Sequence, residues 1–296
     1  MRLRDRLLLN ACTLSYRFSR RVRFTVSLPC GSSEVRVPII HGCGWPLLSF
    51  RDNQIQHIVS KLYDEGRRGC FVDIGANQRK MILNVLALDL HLPYYGFEPD
   101  LTGAHYIQEL IRANKLKNHH VFPVALGAHN STLTLHKSHA ADVNSTLGLD
   151  LRPPQMYSET ALVPVCTADN QLKKLNDSIF LVKIDTEGWE IGVLLGVEGI
   201  LSEKRLPVYF EVMGYRHFLE GTYPREYCDG ELDKCELMRL VDNRRANMAN
   251  LDSFWRRHAY ALHMCHEDGT LHEVQSLDPG PENDENLGEM NFLALG

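Results

Sequence analysis

Between residues 69 and 211 the sequence alternates short apolar runs with amphipathic stretches. Gly69-Cys-Phe-Val-Asp-Ile-Gly75 reads as a buried strand closing on a glycine turn. Helical spacing follows over 81–90, a strand over 94–98, a helix over 103–115 and a strand over 120–125. After a short strand at 132–136 comes a polar stretch, 137–160, rich in Ser, Asn and Pro, which reads as a long loop over one face. Strand, helix and strand resume at 162–165, 167–175 and 179–184, then a helix over 190–201 and a strand over 207–211. Strands separated by helices return by crossovers, so they pair in parallel, and a parallel sheet needs cover on both faces. The fold expected is therefore α/β.

The flanks differ. Residues 22–48 alternate apolar and polar around the turn Cys30-Gly-Ser-Ser33 and predict a small hairpin. Residues 53–64 place Ile55, Ile58, Val59 and Leu62 on one helical face, ended by Gly66. Residues 215–258 form a polar helical stretch bearing aromatic side chains. Apolar segments at 258–264 and 271–275, an acidic loop at 278–289 and a last strand over 290–295 close the chain.

Composition excludes several classes. Hydrophobic residues at 44% and charged residues at 23% describe a soluble globular protein rather than a disordered one. The formal net charge of -5 argues against a nucleic-acid partner. That average hides an asymmetry, because residues 1–24 hold seven Arg and one Asp, leaving about -11 for the remainder. The apolar run Leu7-Leu8-Leu9 stops at Asn10, too short for a signal core, and no run approaches the length of a transmembrane segment. The basic N-terminus is expected to pack as an extension, to mediate self-association as a homo-oligomer, or to make peripheral contact with an acidic surface such as a membrane. Eight scattered Cys without a CxxC pair suit reduced core thiols and a cytoplasmic location. His263, Cys265 and His266 lack a second half at zinc spacing, so no metal is expected.

In an open parallel sheet, ligands bind at the carboxyl ends of the strands. Four strand ends carry chemistry. Asp73 followed by Gly75 lets backbone approach a ligand closely. Glu98, ending the next strand, can accept the hydroxyls of a ribose. Residues 123–127 would set small side chains, Ala125 among them, beside an adenine. Lys183, Asp185 and Glu187 fall on one face by strand alternation, although Gly188 implies a turn able to redirect Glu187. Three charged groups on an otherwise apolar strand are hard to explain as core. No G-x-G-x-x-G follows the first strand, which argues against a nicotinamide enzyme. No Asn/Asp-Pro-Pro-aromatic string follows residues 179–184, unlike amino-methylating nucleic-acid enzymes.

Together VDIGAN (72–77), FEP (97–99), VALG (124–127), KIDTEGWE (183–190) and YFE (209–211) resemble the FkbM-type family of S-adenosylmethionine-dependent O-methyltransferases. The resemblance covers roughly residues 70–214, with an echo in the closing NFLAL. It implies a class I, Rossmann-like methyltransferase sheet of about seven strands, mostly parallel with an antiparallel last strand. It implies S-adenosyl-L-methionine as cofactor and a hydroxyl on a small-molecule or glycan acceptor, a sugar or secondary metabolite. Carried onto this chain, Asp73, Gly75 and Asn77 would surround the methionine part of the cofactor, Glu98 its ribose and Ala125 its adenine. Lys183, Asp185 and Glu187 would face the transfer site with Glu211 nearby, and Asp185, Glu187 or His217 would be the general base.

One position departs from the pattern. Where the family has a second glycine this chain has Arg79, which either pairs with the cofactor carboxylate or fills its space. The second alternative would make the protein a catalytically degenerate binding or assembly module. The domains expected are a basic extension and hairpin over 1–50 and a methyltransferase domain over 51–296. Within the latter, 70–214 would be the cofactor core and 215–258 the substrate side.

Overall fold

The structure is a computed structural model that describes residues 23–41, 43–48, 53–77, 81–138, 145–175, 178–213, 234–278 and 290–296. A hairpin of β1 (Arg23–Cys30) and β2 (Ser33–Ile40) comes first, then helix α1 (Asn53–Asp64). Strand β3 (Cys70–Ile74), helix α2 (Met81–Ala87), strand β4 (Tyr94–Phe97), helix α3 (Leu101–Ala113) and strand β5 (His119–Phe122) follow as alternating units. Short strands β6 (Ala125–Gly127), β7 (Ser131–Lys137) and β8 (Glu159–Thr167) precede helix α4 (Ala168–Leu172), strand β9 (Ile179–Ile184), helix α5 (Glu190–Lys204) and strand β10 (Val208–Val212). Helix α6 (Lys234–Arg257) and strands β11 (Ala261–Cys265), β12 (Leu271–Val274) and β13 (Met290–Leu295) complete the described chain.

The main sheet has eight strands in the order β12-β11-β13-β10-β9-β3-β4-β5. Strands β10, β9, β3, β4 and β5 are mutually parallel, while β13 runs antiparallel between β10 and β11. This is the Rossmann-like class I methyltransferase sheet expected from the sequence. The eighth strand is β12, an antiparallel addition at the edge.

Period-two alternation decides which face each residue serves. Val72, Ile74, Val182, Ile184, Val208 and Phe210 pack with α5 and with Leu251, Phe254 and Trp255 of α6. Their neighbours Phe71, Leu181 and Tyr209 point the other way, onto Ile55, Ile58, Val59 and Leu62 of α1 and Ile107 and Leu110 of α3. Both β3 and β9 are buried at every position, because helices cover both faces. The hairpin seats Val35, Val37 and Ile39 against Tyr106 of α3, whose hydroxyl donates to the Pro38 carbonyl at 3.0 Å.

Two expectations need correction. The strand predicted over 120–125 ends at Phe122, because Pro123 has no N–H to continue the ladder. Ala125 instead begins β6, which pairs with β8 in a separate three-stranded sheet, order β6-β8-β7. The stretch 137–160 is also not wholly loop, since β7 and β8 pair from Lys137↔Glu159 onward and an isolated bridge joins His136 to Thr146. The helix expected within 215–258 is present as α6, and residues 214–233 lie outside the described residues. No helix among the described residues is long and apolar enough to cross a membrane.

Candidate functional site

At the carboxyl end of β3 the chain turns at Gly75 (φ 79°). A Cβ there would sit 1.9 Å from the Asp185 carbonyl oxygen, so only glycine lets the turn pass under the β9 exit. Gly75 and Ala76 donate their N–H groups to the Phe97 carbonyl at 3.0 and 3.1 Å, and Asp185 N–H donates to the Ile74 carbonyl at 3.1 Å. These bonds tie three strand ends together.

Glu98 follows β4 and is 6% exposed. Its two oxygens accept the N–H groups of Asn77 at 2.6 Å and Asp100 at 2.7 Å. Burial pushes its carboxyl up to about 7, and those backbone donors, Asp100 then Asn77, hold it from rising further. Each oxygen keeps a further lone pair for a ligand hydroxyl. Asp100 is itself held by the buried Lys137 at 2.6 Å.

Between β3 and β9 runs a chain of buried charge. Asp73 and Lys183 are register partners, 0% and 3% exposed. The Lys183 ammonium lies 3.1 Å from Asp73 Oδ1 and 3.1 Å from Asp185 Oδ2, and donates to the Gly75 carbonyl at 3.2 Å. The Tyr94 hydroxyl donates to Asp73 Oδ2 at 2.6 Å. Burial, reinforced by the Asp73 charge, raises that phenol well above its ordinary range, so it stays a donor. The lysine is thus held between two carboxylates from both sides.

Beyond Asp185 the backbone leaves the strand. Glu187 adopts φ 57°, a left-handed conformation, and Gly188 follows at φ 105°. The buried Glu190 staples this turn by accepting from Thr186 N–H (2.9 Å), Thr186 Oγ1 (3.0 Å) and Gly188 N–H (3.1 Å). Burial raises its carboxyl, opposed by these backbone donors. Glu187 forms a buried ion pair with Arg152. One oxygen each from Asp185, Glu187 and Glu211 lies within 4.8 Å of the others, among the described residues the one grouping close enough to share a cation. Two like charges at that separation repel by about 3 kcal/mol at an effective dielectric of ~20, and the adjacent Lys183 and Arg152 offset that repulsion.

Gly75, Asn77, Glu98, Ala125, Asp185 and Glu187 all line one cavity, with Pro99, Leu126, Ser145, Thr146 and Trp189. Ala125 reaches it from outside the main sheet. Asp73 and Lys183 sit behind the lining rather than in it, and Glu211 adjoins Asp185 and Glu187 from β10. Arg79 and His217 lie outside the described residues. Sequence reasoning missed Tyr94, Glu190, Trp189, Arg152 and Arg244. Glu190 had a signal, a threonine four residues before a helix-starting glutamate. Arg152 and Arg244 had none, because their partners are distant in sequence.

Several solved structures are similar to this chain at low identity and low TM-score. The FkbM methyltransferase of Methylobacillus flagellatus KT is 13% identical with a TM-score of 0.40, over 77% of this chain and 43% of that one. This chain therefore spans under half the length of that neighbour. The plantazolicin methyltransferase BamL, solved with a triazolic desmethylPZN analog and SAH, is 11% identical with a TM-score of 0.45, over 83% and 84% of the two chains. Cofactor-bound Rv0187 from MTB is 10% identical with a TM-score of 0.39, over 97% and 88%. Among curated proteins none matches the sequence. The Methyltransferase FkbM domain profile matches residues 73–261, well over half of the chain and containing the cavity just described. The protein belongs to the FkbM methyltransferase family.

Proposed function

We propose that the protein is an S-adenosylmethionine-dependent O-methyltransferase acting on a hydroxyl of a polar acceptor, a sugar or glycan or a secondary metabolite. The observation that carries this reading is one cavity joining the Gly75 turn and Glu98 to the paired carboxylates Asp185 and Glu187. The residues fit the cofactor: Gly75 and Asn77 bring the backbone of the β3 turn to the cavity wall beside Glu98, which retains acceptor capacity for ribose hydroxyls. Gly75, Asn77, Glu98 and Ala125 would hold it, and when bound it supplies an electrophilic methyl group on a sulfonium.

The chain's own work is placement and proton handling. Asp185 lines the cavity, anchored by Lys183, and takes the acceptor's hydroxyl proton as the oxygen gains the methyl group. Lys183 is itself fixed by Asp73, so the base cannot swing away. Support for a hydroxyl acceptor comes from this half-buried carboxylate base and from the absence of an Asn/Asp-Pro-Pro-aromatic string. Support for a polar acceptor comes from the Tyr, His, Asn and Arg content of residues 137–160 and 215–258.

Calorimetry with S-adenosylmethionine and S-adenosylhomocysteine tests the cofactor. Binding in the micromolar range is expected, and no heat at high micromolar ligand would sink the enzyme reading. The second reading, a degenerate binding module, is favoured by Arg79 alone. Binding that appears only after Arg79→Gly would establish that reading. Once an acceptor is found, Asp185→Asn should lower kcat by about 10²–10⁴ while leaving cofactor affinity within a few-fold.

A further inference from the structure

Glu187 is a buried carboxylate in a left-handed backbone conformation, beside two further carboxylates. Such an arrangement holds one geometry only if something fixes both the charge and the turn. Lys183 is already engaged with Asp73 and Asp185. The cation at Glu187 is Arg152, which comes from the segment between β7 and β8, outside every family string in the sequence. The pair leaves 10% of the arginine side chain and 5% of the glutamate exposed.

The backbone carrying Arg152 is itself fastened from a third place. The Leu151 carbonyl accepts Arg244 Nε at 3.2 Å and a terminal guanidinium nitrogen of Arg244 at 3.0 Å. The Asp150 carbonyl accepts Asn243 Nδ2 at 2.8 Å. Both donors stand on α6, and Arg244 is 4% exposed. Leu151 also packs on the Gly188 turn so closely that a Cβ on that glycine would lie 3.1 Å from its Cδ1. Helix α6 thereby holds the segment, and the segment holds the carboxylate.

We infer that Arg152 is a positioning residue that sets the Glu187 carboxylate in the cavity, with Arg244 of α6 fixing Arg152 in turn. This rests on the cofactor reading above and deepens it. It assigns a role to two arginines from the stretches expected to wall the acceptor side. Glu187, so held, presents its carboxylate to the cavity it shares with Gly75, Asn77 and Glu98, the groups assigned to the cofactor, so its placement bears on cofactor affinity.

The test is a double-mutant cycle on the full chain with wild type, Arg152→Met, Glu187→Gln and the double variant. Each protein is read by S-adenosylhomocysteine calorimetry and by thermal unfolding without ligand. Arg152→Met should weaken S-adenosylhomocysteine binding about tenfold, in the range typical of residues that orient a ligating group. The same change on the Glu187→Gln background should have little further effect, and Arg152→Lys should recover part of the affinity. A binding loss that persists undiminished without the Glu187 charge would overturn the inference. So would affinity indifferent to Arg152 while unfolding shows coupling, which would leave only a structural ion pair. Wild type that fails to bind sinks the cofactor reading and this inference with it. Wild type that binds while the cycle shows no coupling sinks the inference alone. If Arg152→Met does not fold, Arg244→Lys carries the test. It should shift S-adenosylhomocysteine affinity in wild type and not in Glu187→Gln, and equal shifts in both would overturn the proposal.

Discussion

At the β4 end of the cavity, Glu98 is held by two backbone N–H groups, from Asn77 and Asp100. At the β9 end, Asp185 and Glu187 are held by side-chain cations, Lys183 and Arg152. The backbone donors are dipoles that come with the turn, and they only partly offset burial, so Glu98 is left with its carboxyl at about 7. The cations carry full charge, and one of them, Arg152, has to be brought to the β9 turn from a distant part of the chain. The Glu98 half needs only the adjoining ends of β3 and β4, while the β9 half also draws on a segment outside the main sheet.

That contrast can be broken by experiment. Lys183→Met should cost the most, about 3–5 kcal/mol of stability, because it strands the buried Asp73 and the half-buried Asp185 without their cation. Chemical unfolding measures it, and a loss under about 1 kcal/mol would mean that these carboxylates are not held by the lysine. Gly75→Ala should follow at about 2–3 kcal/mol, from the left-handed backbone and the clash with the Asp185 carbonyl. Because that turn joins both halves, cofactor affinity should fall with it.

Glu98 gives a smaller effect of the opposite sign. Its carboxyl stands at about 7 in the folded chain against an ordinary 4.5, so the folded state binds the proton more tightly. Its contribution to stability therefore rises as pH falls from about 7 toward 4.5 and is lost as pH climbs through 7. Unfolding of wild type against Glu98→Gln across pH 4.5–8 should show this slope in wild type only. An equal slope in both would show that the backbone donors offset the burial of Glu98. Smallest of all, deleting residues 1–22 should leave S-adenosylhomocysteine affinity within about twofold, since the family match and the cavity lining both begin beyond residue 72. A large loss would place it in the site.

Much of the fold was legible in particular residues. Ile55, Ile58, Val59 and Leu62 mark α1 to its observed bounds, because one apolar face at helical spacing has few other uses. The buried runs 70–74 and 179–184 gave β3 and β9 because only a strand covered on both faces is apolar throughout. Ala125 was misplaced because a three-residue strand carries no periodicity, and Pro123 alone marks the break. The third sheet was missed for a similar reason: the strand predicted at 162–165 is the middle of β8, whose partners are chosen by packing.

The candidate site divides in the same way. Gly75, Glu98, Asp185 and Glu187 could be picked out because each sits at a strand end, where the open sheet exposes its ligand-binding edge. Their convergence on one cavity follows from the parallel order of β9, β3 and β4, which alternation of strands and helices already implied. The sequence by itself thus determined the α/β sheet, the strand ends that meet at the cavity and the charged residues placed there. The tertiary structure alone decided which cation serves which carboxylate. Long-range ion pairs such as Arg152 with Glu187, and Arg244 with the Leu151 carbonyl, leave no periodic trace in a chain, because they depend on the distance between segments and not on their spacing in sequence.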